Sequence, residues 1–377
     1  MIAAAVVITL LYVLAMLFLL YGFSQVKNFC GSHSAPKSGF SIVIPYRDEA
    51  GNLPLLFKSL LQLKYPPEMF EIIAVDDASQ DSSEGLWKDF QQENPQLNLK
   101  LLQNIRISGS PKKDALALAI GSSKEDYILT TDADCELPPG LLSNYNSLIA
   151  ETGAVAVAAP VALKTEGPKM SFLRGFQEMD FFSLQAATMG GFGVDIPFMC
   201  NGANFCYSKK AFLEVNGFEE NLEVASGDDI FLLEKFQKKG LRTAFLKSAG
   251  AIVRSAPASS WQELFFQRVR WAAKTSAYQS FFPKSLGLLV FSMNLLLVLL
   301  SLLVLMTVMP PGLLLMVFLL KFNVDFYLIY SSARFFEREK GMKMYFLSSI
   351  VYPFFSSSVA VFSFFSGYHW KGRHFRK

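Results

Sequence analysis

The sequence contains little cysteine and histidine and carries almost no net charge. Its four cysteines show no paired CxxC spacing and there are only three histidines in 377 residues, so the pattern of a zinc site is missing. A formal net charge of +3 also lacks the concentrated basic face of a nucleic-acid-binding protein, which argues against a nucleic-acid partner. Free thiols in a domain that faces the cytosol are the simplest interpretation of the cysteines.

Charged residues are scarce as well, at 18%, whereas 51% of the residues are hydrophobic and 14% are aromatic. This composition is typical of a chain with membrane spans. Residues 2–21 contain no charge and are long enough to cross a bilayer. They lack the basic start and the cleavage site of a signal peptide, so residues 1–24 are predicted to form an anchor. Lys27, Lys37 and Arg47 follow the span and place the next region in the cytosol.

In residues 38–280, short apolar runs alternate with amphipathic helical patterns. This alternation predicts an α/β fold with a parallel sheet and right-handed crossover helices. The predicted strands are residues 40–44, 70–75, 97–102, 127–131 and 154–159. The predicted helices are residues 52–63, 82–92, 112–122 and 139–150. Because the carboxyl ends of parallel strands meet at one edge of a sheet, the residues after each strand are expected to share a site.

The strand over residues 127–131 leads into two carboxylates one residue apart, Asp132 and Asp134. Mg²⁺ prefers one or two carboxylates plus phosphate oxygens and water, so this pair would hold a cation against a nucleotide diphosphate. Acidic pairs are also common in ordinary loops. The same edge receives the residues after the first two strands, namely Pro45, Tyr46, Arg47, Asp48, Glu49, Asp76 and Asp77. Crowded carboxylates repel one another unless a cation or a hydrogen-bond donor offsets the repulsion. A bound ligand is the economical explanation for so many acidic residues at one edge.

Some of these residues have a structural interpretation as well. Asp76 or Asp77 either accepts hydrogen bonds from a base or ribose, or belongs to a turn or helix cap over residues 77–81. Lys112 and Lys113 either face phosphate or begin an exposed helix. The local sequence leaves both alternatives open.

Two later segments contain candidate catalytic residues. Asp228 and Asp229 occupy the first turn of a predicted helix, where they either compensate the helix dipole or supply a general base. Gln267, Arg270 and Trp271 are spaced to share one helical face. They are either an interface anchor or a set of donors and an aromatic plate for a sugar diphosphate.

Between these sites lie two segments of less specific sequence. Residues 171–197 are rich in Phe and Gly and predict an amphipathic helix and loop at the membrane interface, or an ordinary core helix. Residues 201–204 predict a polar turn that permits close approach of the backbone to a ligand.

Taken in order, these motifs resemble those of the membrane-bound family 2 glycosyltransferases, which have the GT-A fold. The matching stretches are residues 41–49, 75–81, 112–116, 131–134, 202–204 and 227–229 and the Gln-x-x-Arg-Trp run at residues 267–271. Together they cover roughly residues 40 to 275. The resemblance implies a Rossmann-like, nucleotide-sugar-binding α/β domain flanked by transmembrane helices.

The resemblance also implies roles for residues at matching positions. Asp77, with Asp76 nearby, would contact the nucleotide base, and Asp132 would face the nucleotide. Asp134, together with Asp132, would bind Mg²⁺ or Mn²⁺. Asp229 would be the base that deprotonates the acceptor hydroxyl.

The remaining site residues follow in the same way. The resemblance assigns the nucleotide-sugar donor to Pro45, Tyr46, Glu49, Lys113 and Asn204, and the leaving group and acceptor to Gln267, Arg270 and Trp271. Asp228 departs from the family pattern, which has Glu at this catalytic position. The shorter side chain leaves the neighbouring base in place.

Apolar segments return in residues 285–366. They are residues 286–308, 312–330 and 345–366, the last with Pro353 inside it. Lys321 and Asp325 interrupt the second, and their i,i+4 spacing predicts a pair on one helix face. If all three segments cross the membrane, the basic tail over residues 367–377 lies outside, against the positive-inside rule. The favoured interpretation is that one of them is re-entrant or interfacial.

The expected activity is a metal-dependent, inverting glycosyl transfer of the hexosyltransferase type. A UDP-sugar is the expected donor and a hydroxyl of a lipid-like molecule the expected acceptor, at the cytosolic face of a bacterial inner membrane. Few spans favour a single addition, whereas the Gln-x-x-Arg-Trp run is frequent among processive polysaccharide synthases, the alternative. A second alternative is a non-catalytic membrane scaffold, against which Asp132, Asp134, Asp229 and Arg270 argue.

Overall fold

The computed structural model describes residues 2–31, 34–164, 171–224, 226–365, 368–370 and 373–375. The chain divides into two compact units. The sheet unit comprises residues 27–164 and 199–256, and the helical unit comprises residues 1–26, 165–198 and 257–377. The predicted basic tail lies partly outside the described residues; Tyr368–Trp370 and Arg373–Phe375 form an antiparallel pair of short strands.

Helices and the strands of the sheet unit are numbered in chain order. The strands are β1 Phe40–Tyr46, β2 Phe70–Asp76, β3 Leu99–Gln103, β4 Tyr127–Thr130, β5 Ala156–Ala158, β6 Val161–Leu163, β7 Phe205–Ser208, β8 Thr243–Phe245 and β9 Val253–Ser255. The helices are α1 Ile2–Gln25, α2 Leu53–Leu61, α3 Ser83–Glu93, α4 Pro111–Ser122, α5 Leu141–Thr152, α6 Phe172–Gly193, α7 Lys209–Glu214, α8 Asp228–Lys238, α9 Trp261–Ala273, α10 Phe281–Leu305, α11 Pro311–Phe335 and α12 Tyr345–Phe365.

The sheet unit is built on a seven-stranded sheet with the order β3-β2-β1-β4-β7-β5-β8. The pairs β1–β2, β2–β3 and β1–β4 are parallel, as predicted. The β-branched and apolar runs of β1 and β2 are buried almost throughout, which is the usual pattern of a parallel sheet covered on both faces. β6 and β9 form a separate parallel pair.

One strand that is not among those predicted departs from the parallel arrangement. β7 lies between β4 and β5 and is antiparallel to both. The hydroxyl of Thr130 contributes to this insertion, because it donates to the carbonyls of Gly202 and Phe205 at 2.8 and 3.2 Å. The segment before β7 is thereby held against the end of β4.

An aromatic cluster packs α2 and α3 beneath the carboxyl end of β1. The rings of Phe57 and Phe90 stack at 4.2 Å, and Trp87, which is fully buried, contacts both. Trp87 also lies 5.8 Å from the ring of Tyr46, the last residue of β1. This packing fixes the strand end from which the predicted site begins.

Among the described residues of the helical unit, four helical segments are long and apolar enough to cross a membrane. They are Ile2–Gln25, Phe281–Leu305, Pro311–Phe335 and Glu339–Phe365. The last segment joins a short 3-10 helix, Glu339–Met344, to α12. The predicted i,i+4 pair is confirmed, since Lys321 forms an ion pair with Asp325 within α11. The hydroxyl of Tyr12 in α1 also donates to Asp325 at 2.8 Å. Such pairing offsets much of the penalty that charged groups meet inside a bilayer.

α6 corresponds to the predicted helix within residues 171–197, and most of its side chains are buried. The core-helix alternative therefore describes it better than an exposed amphipathic surface. α6 packs closely against α1 through glycines. A Cβ atom on Gly190 would lie 2.5 Å from the carbonyl oxygen of Leu19, and one on Gly193 would lie 1.8 Å from that of Gly22.

Candidate active site

The carboxyl ends of β1, β2 and β4 lie along one edge of the sheet. β1 and β2 end in register at Tyr46 and Asp76, and the amide of Asp77 donates to the carbonyl of Tyr46 at 2.9 Å. The amide of Thr131 donates to the carbonyl of Val43 at 3.1 Å, so the chain leaves β4 beside β1. The strand-end residues singled out by the sequence therefore share one edge.

Asp132 and Asp134 follow β4 in a short turn, in which the amide of Cys135 donates to the carbonyl of Asp132 at 3.1 Å. Asp134 is partly buried, and its Oδ2 accepts a hydrogen bond from the Ser255 hydroxyl at 3.0 Å. Burial raises the pKa of the Asp134 carboxyl, and the charges of Asp132 and Glu49 raise it further. The negative charges of Asp132 and Glu49 therefore oppose the ionisation of Asp134.

This carboxylate set fits a divalent cation that takes its other ligands from phosphate and water. Within the described ranges, no group of three or more His, Cys, Asp and Glu side chains is placed to bind a metal. Mg²⁺ needs only one or two carboxylates when phosphate oxygens complete its shell. The repulsion of Asp134 by Asp132 and Glu49 supports the fit, because a bound cation would offset it.

Lys112, the second residue of α4, joins this set to the first turn of α8. Its Nζ lies 2.8 Å from Asp132 Oδ1 and 3.5 Å from Asp228 Oδ2. Burial alone would lower the pKa of Lys112, but Asp132 and Asp228 outweigh burial and hold the pKa above its ordinary value. Segments about a hundred residues apart in the chain thus meet around one ammonium group.

Asp228 and Asp229 open α8 directly after Gly227, whose φ of +83° suits glycine. Asp229 Oδ2 accepts a hydrogen bond from the amide of Gly202 at 2.9 Å. A Cβ atom on Gly202 would lie 3.1 Å from Asp228 Oδ2, so this turn approaches the two carboxylates closely. Asp228 is 8% exposed and Asp229 is more accessible, which makes Asp229 the better placed to meet a ligand.

Asp76 and Asp77 have different environments. Asp76 Oδ1 accepts hydrogen bonds from the amide and the hydroxyl of Ser79 at 2.9 and 2.6 Å, which is the turn alternative. Asp77 Oδ1 accepts from Asn104 Nδ2 and from Arg106 Nε, both at 2.8 Å. Asp77 therefore belongs to a polar cluster that includes the guanidinium group of Arg106.

Asn104 and Arg106 were not anticipated from the sequence. They come directly after β3, whose carboxyl end lies on the same edge as those of β1 and β2. Their position after a strand of the parallel sheet is the sequence signal that marks them. The side chain of Arg106 is 42% exposed, so its guanidinium is accessible to an anionic ligand.

Lys113 was expected either to face phosphate or to begin an exposed helix, and the structure places it in neither position. It is 1% exposed, and its Nζ donates to the carbonyls of Asn221 and Val224 at 2.6 and 2.8 Å. A buried ammonium requires such acceptors, and the loop before α8 supplies them. Lys113 therefore anchors a loop, and the lysine at the carboxylates is Lys112.

Asn204 is also placed differently from the expectation of donor binding. It is 1% exposed, and its Nδ2 donates to the carbonyls of Pro160 and Ala251 at 2.8 Å each. Its Oδ1 accepts from the hydroxyl of Tyr145 at 2.8 Å. The amide is satisfied within the protein, so Asn204 holds β7 in place rather than facing a ligand.

The residues at and after the end of β1 differ in burial. Tyr46 is 4% exposed and packs on Trp87, and burial and the nearby Asp76 raise the pKa of its hydroxyl. Pro45 is partly exposed within the sheet. The negative charge of Glu49 raises the pKa of Asp134, and Glu49 Oε2 accepts a hydrogen bond from Asn52 Nδ2 at 2.6 Å.

Gln267, Arg270 and Trp271 lie in α9 and belong to the helical unit. All three are partly exposed. Arg268, the residue after Gln267, is buried and forms an ion pair with Asp180 of α6. The contribution of the three motif residues to the leaving-group and acceptor site stays a prediction.

Comparison with known families gives two matches. Residues 41–212 match the model of glycosyl transferase family 2, and residues 127–333, more than half of the chain, match that of glycosyl transferase family group 2.

Relatives and solved structures agree with these matches. The chain is 24% identical over 237 residues to the probable glycosyltransferase YdaM of Bacillus subtilis (strain 168), covering 62% of this chain and 54% of the relative. It is 36% identical over 103 residues to the uncharacterized glycosyltransferase sll0501 of Synechocystis sp., covering 27% and 31%. The chain thus spans about half and about a third of these two relatives. Mannosyltransferase PcManGT from Pyrobaculum calidifontis, in complex with GDP-Man and Mn²⁺, has a similar fold, with TM-score 0.60, 15% identity and coverage of 97% and 99%. The predicted GT-A fold is confirmed.

Proposed function

The chain belongs to glycosyl transferase family group 2, and from this premise we propose that it transfers a sugar from a nucleotide-diphosphate donor to a hydroxyl acceptor. The observation that carries the proposal is the meeting of Asp132 and Asp228 around Lys112 at the carboxyl edge of the sheet. Ligands of open α/β sheets bind at such an edge. A UDP-sugar is the donor we expect.

Asp229 is the residue assigned to proton transfer. Its Oδ2 is oriented by the amide of Gly202, and the side chain remains partly accessible. In the proposed step, Asp229 takes the proton of the acceptor hydroxyl as that oxygen forms a bond to the anomeric carbon. The bond from that carbon to the diphosphate breaks with its electron pair, so a single displacement inverts the anomeric configuration.

The donor diphosphate is assigned to the residues after β4 and β1. Asp132 and Asp134, with Glu49 nearby, would hold Mg²⁺ or Mn²⁺. When bound, such a cation stabilises the negative charge on the departing diphosphate. Asp77 and Arg106 provide an acceptor and a cation on the same edge for the nucleoside or its phosphates.

The acceptor we propose is a lipid-like molecule at the cytosolic face of the membrane. Four long apolar helices support a membrane location, and the basic residues after α1 support a cytosolic sheet unit. Few spans favour a single addition. A processive polysaccharide synthase is the second candidate, because the Gln-x-x-Arg-Trp run is frequent among such enzymes.

The decisive experiment uses the full chain purified in detergent. Release of nucleoside diphosphate is measured with several nucleotide sugars, Mn²⁺ and a lipid extract. Asp229→Asn is expected to lower the rate about 10²- to 10⁴-fold, because a general base contributes about that much. Asp89→Asn, an exposed position on α3, is the matched control and should leave the rate unchanged.

Each other outcome has a definite meaning. Equal release by the wild type and Asp229→Asn would reject Asp229 as the base. No release from either protein across the donors would favour a membrane scaffold without activity. Thin-layer separation of the product distinguishes one added sugar from a polymer.

A further inference from the structure

A buried ion pair joins α6 to α9 within the helical unit. Arg268 Nε donates to Asp180 Oδ2 at 2.5 Å, and the two residues are 7% and 5% exposed. Burying two charges gives little net stability, because desolvation opposes their attraction. The placement of this pair calls for an explanation beyond stability.

Arg268 contacts two residues of the Gln-x-x-Arg-Trp run. Its guanidinium carbon lies 4.1 Å from the centroid of the Trp271 ring, in a cation–π arrangement. Its Nη1 donates to Gln267 Oε1 at 2.5 Å. One planar cation thus fixes the ring of Trp271 and leaves the amide nitrogen of Gln267 to act as a donor.

A second contact already holds α9 against α6. Gln177 lies three residues before Asp180 in α6, and its side-chain amide pairs with the backbone of Ala258, just before α9 begins. Its Nε2 donates to the Ala258 carbonyl at 3.0 Å, and its Oε1 accepts from the Ala258 amide at 2.9 Å. The start of α9 is therefore held independently of Arg268. What depends specifically on Arg268 is the orientation of the side chains it contacts.

We propose that Arg268 is a positioning residue that orients Gln267 and Trp271 for the acceptor, with Asp180 fixing the guanidinium. Arg268 is buried and acts through its two neighbours rather than on the substrate. The inference rests on the proposed function, in which Gln267 and Trp271 belong to the leaving-group and acceptor site.

The kinetic test replaces Arg268 with Lys in the full chain. Lys retains the charge opposite Asp180 but loses the planar group that stacks on Trp271. We expect the KM for the acceptor to rise about tenfold, with kcat changed less than about threefold, because a desolvated cation–π contact has about that value. Arg338→Lys is the matched control. Arg338 Nη1 pairs with Glu178 Oε1 of α6 at 3.0 Å, and its replacement should leave the KM unchanged.

A spectroscopic test reports on Trp271 without requiring activity. The chain is labelled with 5-fluorotryptophan, and the ¹⁹F signal of Trp271 is assigned from its loss in Trp271→Phe. We expect Arg268→Lys to shift this signal while those of Trp261, in the same helix, and Trp87, in the sheet unit, stay in place. Asp180→Glu is the second variant if Arg268→Lys does not fold.

The outcomes separate this inference from the proposed function. An unmoved Trp271 signal, equal shifts at Trp261 and Trp87, or an unchanged KM would overturn the positioning role. A wild-type chain without transferase activity would overturn the proposed function, while the ¹⁹F comparison would still decide whether Arg268 orients Trp271.

Discussion

Lys112 balances carboxylates from two distant segments of the chain. Asp132 and Asp228 hold its pKa above the ordinary value despite burial, so it remains protonated across the physiological pH range. Asp134 receives no ion pair from Lys112 among the described contacts. The site therefore combines a compensated carboxylate, Asp132, with one that is held beside other negative charges.

Asp134 is predicted to reduce the stability of the metal-free protein. Its pKa is raised above 3.8 by burial and by Asp132 and Glu49, so the folded state binds more protons than the unfolded state. The free energy of unfolding then falls as pH rises from about 3.8 through the raised pKa, and the full loss persists at neutral pH. Asp134→Asn should raise the melting temperature at pH 7 without metal by about 2–4 °C.

Thermal unfolding with and without Mn²⁺ checks this prediction. Mn²⁺ should stabilise the wild type and have little effect on Asp134→Asn, because one ligand of the cation is removed. Asp89→Asn serves as the surface control and should respond to Mn²⁺ as the wild type does. A variant that is less stable than the wild type without metal, or equally stabilised by Mn²⁺, would contradict the assignment.

The edge of the sheet that carries the candidate site was more predictable than the placement of each side chain. Asp132 and Asp134 were found because strand ends of a parallel sheet share an edge. Lys112 and Lys113 are about 100° apart on a helix, and which of them faces the carboxylates depends on how α4 is rotated against the sheet. The buried environment of Asn204 is likewise not encoded locally, since its partners Pro160, Ala251 and Tyr145 come from distant segments.

At the scale of elements, strongly patterned segments were predicted well. The apolar runs of β1, β2 and β4 and the helices between them appear within two residues of the predicted bounds. β7 was not predicted, because Phe205–Ser208 is short and its position between β4 and β5 depends on pairing with residues far away in the chain. Local sequence patterns do not encode such pairing.

Close packing of α1 on α6 predicts sensitivity at Gly190. A Cβ atom there would lie 2.5 Å from the backbone oxygen of Leu19, so the two helices must separate. Gly190→Ala is expected to lower the free energy of unfolding by about 1–3 kcal/mol, the usual range for overpacking. Thermal unfolding of the purified chain in detergent measures the effect.

Gly312→Ala is the control for this prediction. Gly312 lies in α11 with open space around its Cβ position, and alanine is the better helix former. Its melting temperature should equal or slightly exceed that of the wild type. Equal stability of Gly190→Ala and Gly312→Ala would show that the close approach of α1 and α6 is not tight in solution.

At the scale of the whole chain, the number of membrane crossings decides where the C-terminal residues lie. Length and composition admit four spans, and the segment Glu339–Phe365 is the least hydropathic of them, at 1.5 against 1.9 to 2.8. Its contacts suggest a different path from that of a full span. Tyr345, the first residue of α12, lies 4.8 Å from the ring of Phe322, near the middle of α11. Tyr352, seven residues later, still lies beside Lys321.

If α12 turned back at the end of α11 and ran antiparallel beside it, each successive residue of α12 would lie about one residue further back along α11. Tyr345 and Tyr352 instead both lie near the middle of α11, and later residues of α12 pack on α9. The ring of Phe355 lies 6.0 Å from that of Phe265, and Phe362 lies 5.6 Å from the same ring. These contacts favour an interfacial or re-entrant α12, which would return residue 365 to the cytosolic side and satisfy the positive-inside rule.

Cysteine labelling in intact cells tests this path. Of the native cysteines, Cys30 is exposed and Cys135, Cys200 and Cys206 are buried, so Cys30→Ser gives a background of low reactivity. We expect Val308→Cys, between α10 and α11, to react with a membrane-impermeant maleimide in spheroplasts. Phe365→Cys should react only after permeabilisation, as native Cys30 should in the unmodified chain. The contrary result is labelling of Phe365→Cys in intact spheroplasts while Cys30 of the unmodified chain is not labelled. It would show that α12 spans the membrane and that the basic tail violates the positive-inside rule.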